Sequence, residues 1–421
     1  MTFDPKRTFR ALRYRNYRLF FAGQSLSLIG TWLQQVAMGW LTYRLTGSPW
    51  LLGVVAFCAQ IGILVLGPFA GVVADRVNRR RALFVTQSLM LAQALALAAL
   101  TALGQIEVWH LIGFALWLGT VTAFDVPLRQ SLYVHLVDDR ADLPNAIALN
   151  SMIVNVARVV GPAIAGLLLA LVGEAPCFAL NALSFVAVIV AIARLHWPAE
   201  THAIPAGGWW SSWGEGARYA FGFAPSRALL ALVAVLSWTI MPYASLMPVY
   251  AKDLYGGGPE TLGMLLSAAG AGALSCMVYL AGRSTIRGLG RVIAAAALTS
   301  GAALAAFSHL RVFPLALLLM ALVGGGLMLA AASVNTILQT IVEDRLRGRV
   351  ASYFTMAFLG VAPLGNLAAG ALAAAIGAPA TLLGNGLACV LAALWFRRRL
   401  PVLAQLLRPT YRRLGIIPDE G

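Results

Sequence analysis

Charge is scarce in this sequence. Asp, Glu, Lys and Arg make up 11% of its 421 residues, against about 25% in an ordinary soluble domain. Acid is the scarcer sign, 16 Asp and Glu facing 31 Lys and Arg, and no acid lies between Asp4 and Asp75. The four cysteines, Cys58, Cys177, Cys276 and Cys389, stand singly in apolar stretches without a CxxC pair, which reads as small buried hydrophobes. The five histidines show no metal-ligand spacing, and none follows His309. A dinucleotide fingerprint, a P-loop and a nucleophile elbow are all missing. An enzyme and an ATP-driven pump are therefore not expected, and no cofactor or metal is required. The net charge of +15 would suit nucleic acid only with an exposed basic face and aromatic or motif support, and the sequence offers neither.

What the chain has is apolar length. Sixty per cent of its residues are hydrophobic, the mean hydropathy is +0.79, and apolar runs near twenty residues recur, each long enough to cross a bilayer. Charged, Pro- and Gly-bearing breaks divide it into twelve expected helices, over 17–43, 49–74, 80–103, 109–134, 144–171, 176–195, 227–250, 260–281, 289–308, 313–339, 350–375 and 379–396. The longest interruption carries Trp209, Trp210, Trp213, Tyr219 and Phe221, side chains that favour the membrane interface. The expected organisation is a six-helix bundle over 1–196, a cytoplasmic linker with an interfacial amphipathic segment over 197–226, a second bundle over 227–400 and a cytoplasmic tail over 401–421. The halves repeat: Gly166, Gly173 and Asn181 return as Gly370, Gly377 and Asn385 at an offset of 204, and Val137-Asp138-Asp139-Arg140 returns as Val342-Glu343-Asp344-Arg345 at 205. A repeated half is the expected build of a secondary transporter. With both termini cytoplasmic, 26 basic residues fall on that side and three, Arg44, Lys252 and Arg311, on the other; this asymmetry sets the expected orientation.

Two stretches carry chemistry. Gly71-Val72-Val73-Ala74-Asp75-Arg76-Val77-Asn78-Arg79-Arg80 follows the second helix. Gly71 permits a close helix approach, Asp75 is placed to face a helix N-terminus, and Arg76, Arg79 and Arg80 are placed to pair with Asp138 and Asp139 as a cytoplasmic gate. The fourth helix carries Phe124-Asp125-Val126-Pro127-Leu128-Arg129, with Asp125 and Arg129 at pairing distance along one face and Pro127 expected to break or kink the helix. Charges in hydrocarbon face a cavity or a partner, so Asp125, Arg129 and Arg158 are expected to form one ionic cluster between the fourth and fifth helices. Asp125 is then either a proton-accepting switch or the permanent partner of an arginine; the flanking arginines favour the second. Gln24, Thr31 and Gln35 on the first helix, Asn150 and Asn155 on the fifth, Trp238 and Tyr243 on the seventh and Asn335 on the tenth are the expected substrate pathway, although each alone also suits helix–helix packing.

The glycine, acid and arginines of residues 71–80 resemble the G-x-x-x-D-R-x-x-R-R signature of the major facilitator superfamily. Asp125-x-Pro127-x-Arg129-Gln130, Leu143 to Asn150, Ala157-Arg158-x-x-Gly161-Pro162, Cys177-Phe178-x-x-Asn181 and Asp344-Arg345-x-Arg347-Gly348-Arg349 are similar to the branch that includes the bacterial enterobactin exporter. The resemblance implies an all-α membrane protein, with twelve transmembrane helices in two pseudo-symmetric six-helix bundles, in the cytoplasmic (inner) membrane of a bacterium. It implies proton-coupled export of a small organic molecule, siderophore-like or drug-like, by rocker-switch alternating access; a monomer is compatible with it. An importer or facilitator and a non-transporting membrane sensor remain the alternatives. Two departures matter. The first helix lacks the acid of many proton-coupled exporters, and no histidine-rich tail favours a metal ion as substrate.

Overall fold

Local signals start and stop the helices. Ser48 Oγ accepts the Leu51 N–H at 3.4 Å just before Pro49, and Asn78 Oδ1 accepts the Arg81 N–H at 2.9 Å, so both caps fall where free backbone donors need them. The computed structural model describes residues 9–196, 218, 220–283, 285–343 and 346–414, apart from the side chains of Pro68, Val72, Asp75 and Val134. Trp209, Trp210, Trp213, Tyr219, Asp344 and Arg345 lie outside them.

The helices are α1 Arg15–Thr46, α2 Pro49–Arg76, α3 Arg79–Ala102, α4 Val108–Leu132, α5 Leu143–Val172 and α6 Glu174–Arg194. They continue as α7 Ala224–Leu254, α8 Pro259–Ala281, α9 Leu289–Phe307, α10 Phe313–Ile341, α11 Arg347–Ile376 and α12 Ala378–Arg413. Among the described residues, 11 helices are long and apolar enough to cross a membrane, α1 being the exception. Its polar residues Gln24, Ser27, Gln34 and Thr42 lower its hydropathy, and all four are buried. The last helix differs from expectation: it runs past residue 396, through Pro401 and Pro409, to Arg413. Buried Leu403 and Leu407, one turn apart, hold that extension against the bundle.

The chain divides into two compact units, Met1–Ile204 with Pro248–Ser267, and Pro205–Met247 with Ala268–Gly421. In the first, α1 packs on α5 and α6, α3 on α4 and α6, and α2 on α4. It also holds the end of α7 and the start of α8: Tyr43 donates to the Asp253 carboxylate, and a Cβ at Gly166 would stand 2.7 Å from the Pro259 carbonyl oxygen. In the second, α9 packs on α10 and α12, and α7 on α11 and α12.

The repeat read from the sequence is physical. Gly173 and Gly377 have φ of +81° and +87° and stand as N-caps of α6 and α12. Only glycine adopts that backbone without strain. A second equivalence appears at the helix crossings. A Cβ at Gly119 of α4 would come 2.6 Å from the Ala59 carbonyl oxygen of α2, and one at Gly324 of α10 would collide likewise with Ala269 of α8.

Candidate functional site

The i,i+4 spacing on α4 does bring Asp125 and Arg129 together. Arg129 Nε lies 2.6 Å from Asp125 Oδ2, and the carboxylate is fully buried. The other oxygen is served from α3, where Thr86 Oγ donates at 2.7 Å and Gln87 Nε2 at 2.8 Å. Two hydrogen-bond donors and one ion-pair partner thus surround this carboxylate. Both α3 residues lie outside the cluster expected from the sequence, where the adjacent polar pair in an otherwise apolar run is the available signal. A groove lined by Thr86, Arg81, Ala74 and Leu128 reaches this point, with a volume of about 460 Å³. Arg158 lies half-buried on α5, and the Tyr133 side chain approaches Asn150 where α4 ends and α5 begins.

Pro127 does not break α4, which runs unbroken from Val108 to Leu132. The interruptions fall in the second half. α7 is broken between Thr239 and Tyr243, beside Pro242, and α11 opens into a π-turn over Met356–Gly360. Side chains satisfy the freed carbonyls, as irregular backbone at membrane depth requires. Ser237 Oγ donates to the Phe358 carbonyl at 2.5 Å, and Ser245 Oγ donates to the Pro242 carbonyl at 2.9 Å.

On α1 the two neighbouring glutamines have opposite fates. Gln34 is buried and donates to Gln93 Oε1 of α3 at 3.0 Å, while Asn181 of α6 donates to Gln34 Oε1 at 2.7 Å. This amide chain ties three helices together. Gln35 is exposed and Thr31 half-exposed, whereas Gln24, expected on the same face, is buried. Of the other pathway candidates, Trp238 is exposed, and Asn150, Asn155, Tyr243 and Asn335 are half-buried.

The expected gate is arranged differently. Arg79 Nη1 lies 2.9 Å from His135 Nε2, and Arg80 reaches the Ala193 carbonyl at 3.4 Å. Arg76 is exposed. Asp139 spends its carboxylate on its own turn, accepting from the Ala141 N–H at 2.9 Å, and Asp138 is exposed. The acid that does hold arginines here is Asp142, with Arg10 Nε and Arg13 Nη2 each at 2.8 Å and the Tyr14 hydroxyl at 2.9 Å. The turn at 140–142 directs Asp142 inward and leaves Asp138 in the open. A Cβ at Gly71 would meet nothing within 4 Å, so among the described residues no close approach depends on that glycine. The Asp75 side chain lies outside the described residues.

The family described as transmembrane secretion effector matches residues 6–410. The staphyloferrin A transporter of Staphylococcus aureus is 25% identical over 400 residues, 91% of this chain and 96% of its own. The multidrug efflux pump Tap of Mycobacterium bovis is 30% identical over 393 residues, covering 90% and 92%. Among solved structures, the nucleoside transporter NupG superposes with a TM-score of 0.71 at 13% identity, covering 91% of this chain and 98% of that one; at that identity the likeness concerns the fold.

Proposed function

The chain belongs to the transmembrane secretion effector family of major facilitator transporters, and we propose that it exports a small organic molecule across the bacterial cytoplasmic membrane, with both termini cytoplasmic. The observation that carries a solute path is Gln35. It is exposed part-way along α1, and an amide at that depth faces water rather than hydrocarbon. Thr31 one turn earlier and Asn155 on α5, in the same unit, would extend a neutral lining. Such a lining suits an amphipathic organic solute. Export as the direction and a drug-like cargo are supported by the likeness to the multidrug efflux pump Tap, and a siderophore-like cargo by that to the staphyloferrin A transporter.

Coupling to the proton gradient, as antiport, is part of the proposal, and Asp125 is the group at stake. As an anion it is served by Thr86, Gln87 and Arg129. A proton taken up on Oδ2 would neutralise the carboxylate and release the Arg129 guanidinium. That release is a charge change in a packed helix pair, the kind of local event that biases a two-state element. Alternating access of the two six-helix halves would be the element biased. Arg79, Arg80 and His135, with Asp142 and its arginines, would brace the cytoplasmic ends in the conformer described.

The test is flux. A deletion strain should accumulate the solute and lose that accumulation when the gene is restored. In proteoliposomes, wild-type protein should move protons in response to substrate and Asp125→Asn should not. Undiminished proton coupling in that variant would remove Asp125 from the mechanism, and lowered internal solute in the deletion strain would make the protein an importer.

A further inference from the structure

One cavity is lined by none of the residues placed on the solute path. It has a volume of about 950 Å³ and opens between α9 and the far end of α12, with Leu229 of α7 and Ile337 of α10 at its back. That volume falls in the range of pockets that bury a drug-sized molecule, roughly 300–1,000 Å³. Its position along α12 gives its character. Twenty helical residues span the hydrocarbon core of about 30 Å, so a span that begins at Ala378 is used up at the run Arg397-Arg398-Arg399. Phe396 and Ala393 line the cavity on the membrane side of that run, and Leu403 and Leu407 line it beyond. The cavity therefore straddles the boundary between hydrocarbon and headgroups.

Charge is distributed to match. Arg291 of α9 and Arg397 of α12 both line the cavity, both are exposed, and among the described residues no acid lines it. Beside it, the Arg399 guanidinium sits 5.6 Å over the Trp395 ring, and tryptophan at this depth marks an interface. Past the arginines α12 stays helical to Arg413 and leaves Val402 and Leu406 exposed among basic residues. Helices of that composition lie on anionic lipid. An apolar interior with two guanidinium groups at its rim fits one kind of molecule: an amphiphile with an anionic head.

We propose that this cavity binds one anionic phospholipid of the cytoplasmic leaflet, its phosphate against Arg291 and Arg397 and an acyl chain along Phe396, Leu403 and Ala294. The leaflet rests on the orientation proposed above; the lipid class does not. The second half of the protein would thus be seated on a specific lipid where α12 leaves the membrane.

The test uses the full-length protein in neutral detergent, titrated by native mass spectrometry with phosphatidylglycerol and with phosphatidylcholine of the same chains. One phosphatidylglycerol should remain bound under activation that strips phosphatidylcholine. Arg291→Gln with Arg397→Gln should weaken that binding by about thirtyfold, from two basic contacts at a membrane surface. Ala404→Trp, an exposed wall position, should weaken it by blocking the chain while keeping both arginines. Equal retention of the two lipids, or no change in the arginine variant, would overturn the proposal. Competition by free glycerol 3-phosphate would also overturn it, in favour of a soluble-anion site. Orientation is read separately, by impermeant maleimide labelling of Arg408→Cys in intact cells. Labelling from outside would reject the cytoplasmic leaflet and leave a phosphatidylglycerol preference in detergent standing.

Discussion

Asp125 and Arg129 form an ion pair one helical turn apart on α4, the aspartate side chain 0% exposed and the arginine side chain 22%. The acid is therefore the member that cannot turn to water when its partner is lost.

Arg129→Ala should be more destabilising than the double change Asp125→Ala/Arg129→Ala. The single variant strands a buried charge, at a cost of about 3–5 kcal/mol, while the double variant removes the charge with its partner. Thermal unfolding in detergent measures both. A double variant that melts below the single would show that the pair is not the unit of stability.

Gln34→Leu should lower the melting temperature, because Gln93 and Asn181 lose a buried partner at once. The expected loss is about 0.6–2 kcal/mol, small because amides freed within a membrane find other partners. Gln35→Leu, one residue on, should leave stability unchanged and reduce transport. If both variants behave alike, α1 does not have the two faces described.

Asp142→Ala should release the N-terminal segment. Arg10 and Arg13 would lose their shared carboxylate, and Tyr14 its acceptor. Trypsin should then cleave after Arg10 and Arg13 several times faster than in wild-type protein, with the difference shrinking as salt rises. Equal cleavage would mean that the Ala11–Asn145 and Tyr17–Ala146 hydrogen bonds hold the segment without the acid.

Gly166→Val should destabilise the protein by about 1–3 kcal/mol, the usual cost of overpacking a close contact. A Cβ at Gly166 would stand 2.7 Å from the Pro259 carbonyl oxygen and 2.9 Å from the Gly263 Cα, and backbone atoms cannot turn aside as a side chain can. Thermal unfolding in detergent measures the loss. An unchanged melting temperature would show that α5 and the start of α8 have room to part.

Much of the fold was legible because its signals are local. Apolar length gave the spans, and the glycines at 173 and 377 marked equivalent junctions through a backbone conformation only glycine adopts freely. Asp125 and Arg129 were legible as a pair because four residues make one turn. Thr86 and Gln87 were not, since pairing across helices depends on how α3 is rotated against α4. The same holds for Gln34 and Gln35. Both are polar residues on one apolar helix, and only the packing of α3 and α6 says which is buried. Pro127, expected to break or kink α4, does not break it: α4 stays helical through it, packed against α2 and α3, while α7 and α11 open elsewhere.

By itself the sequence determined that this chain is a membrane protein of twelve helices in repeated halves, because the cost of placing charge and unpaired backbone in hydrocarbon is written into composition and spacing. The tertiary structure alone decided which polar groups are spent on one another. It gave Asp125 its donors from α3, chose Asp142 over Asp138 and Asp139 to hold arginines, and left Gln35 open. It also opened the basic-rimmed cavity between α9 and α12, which no single helix contains. The reason is the same in each case: an apolar helix looks much the same from every side until its neighbours are in place.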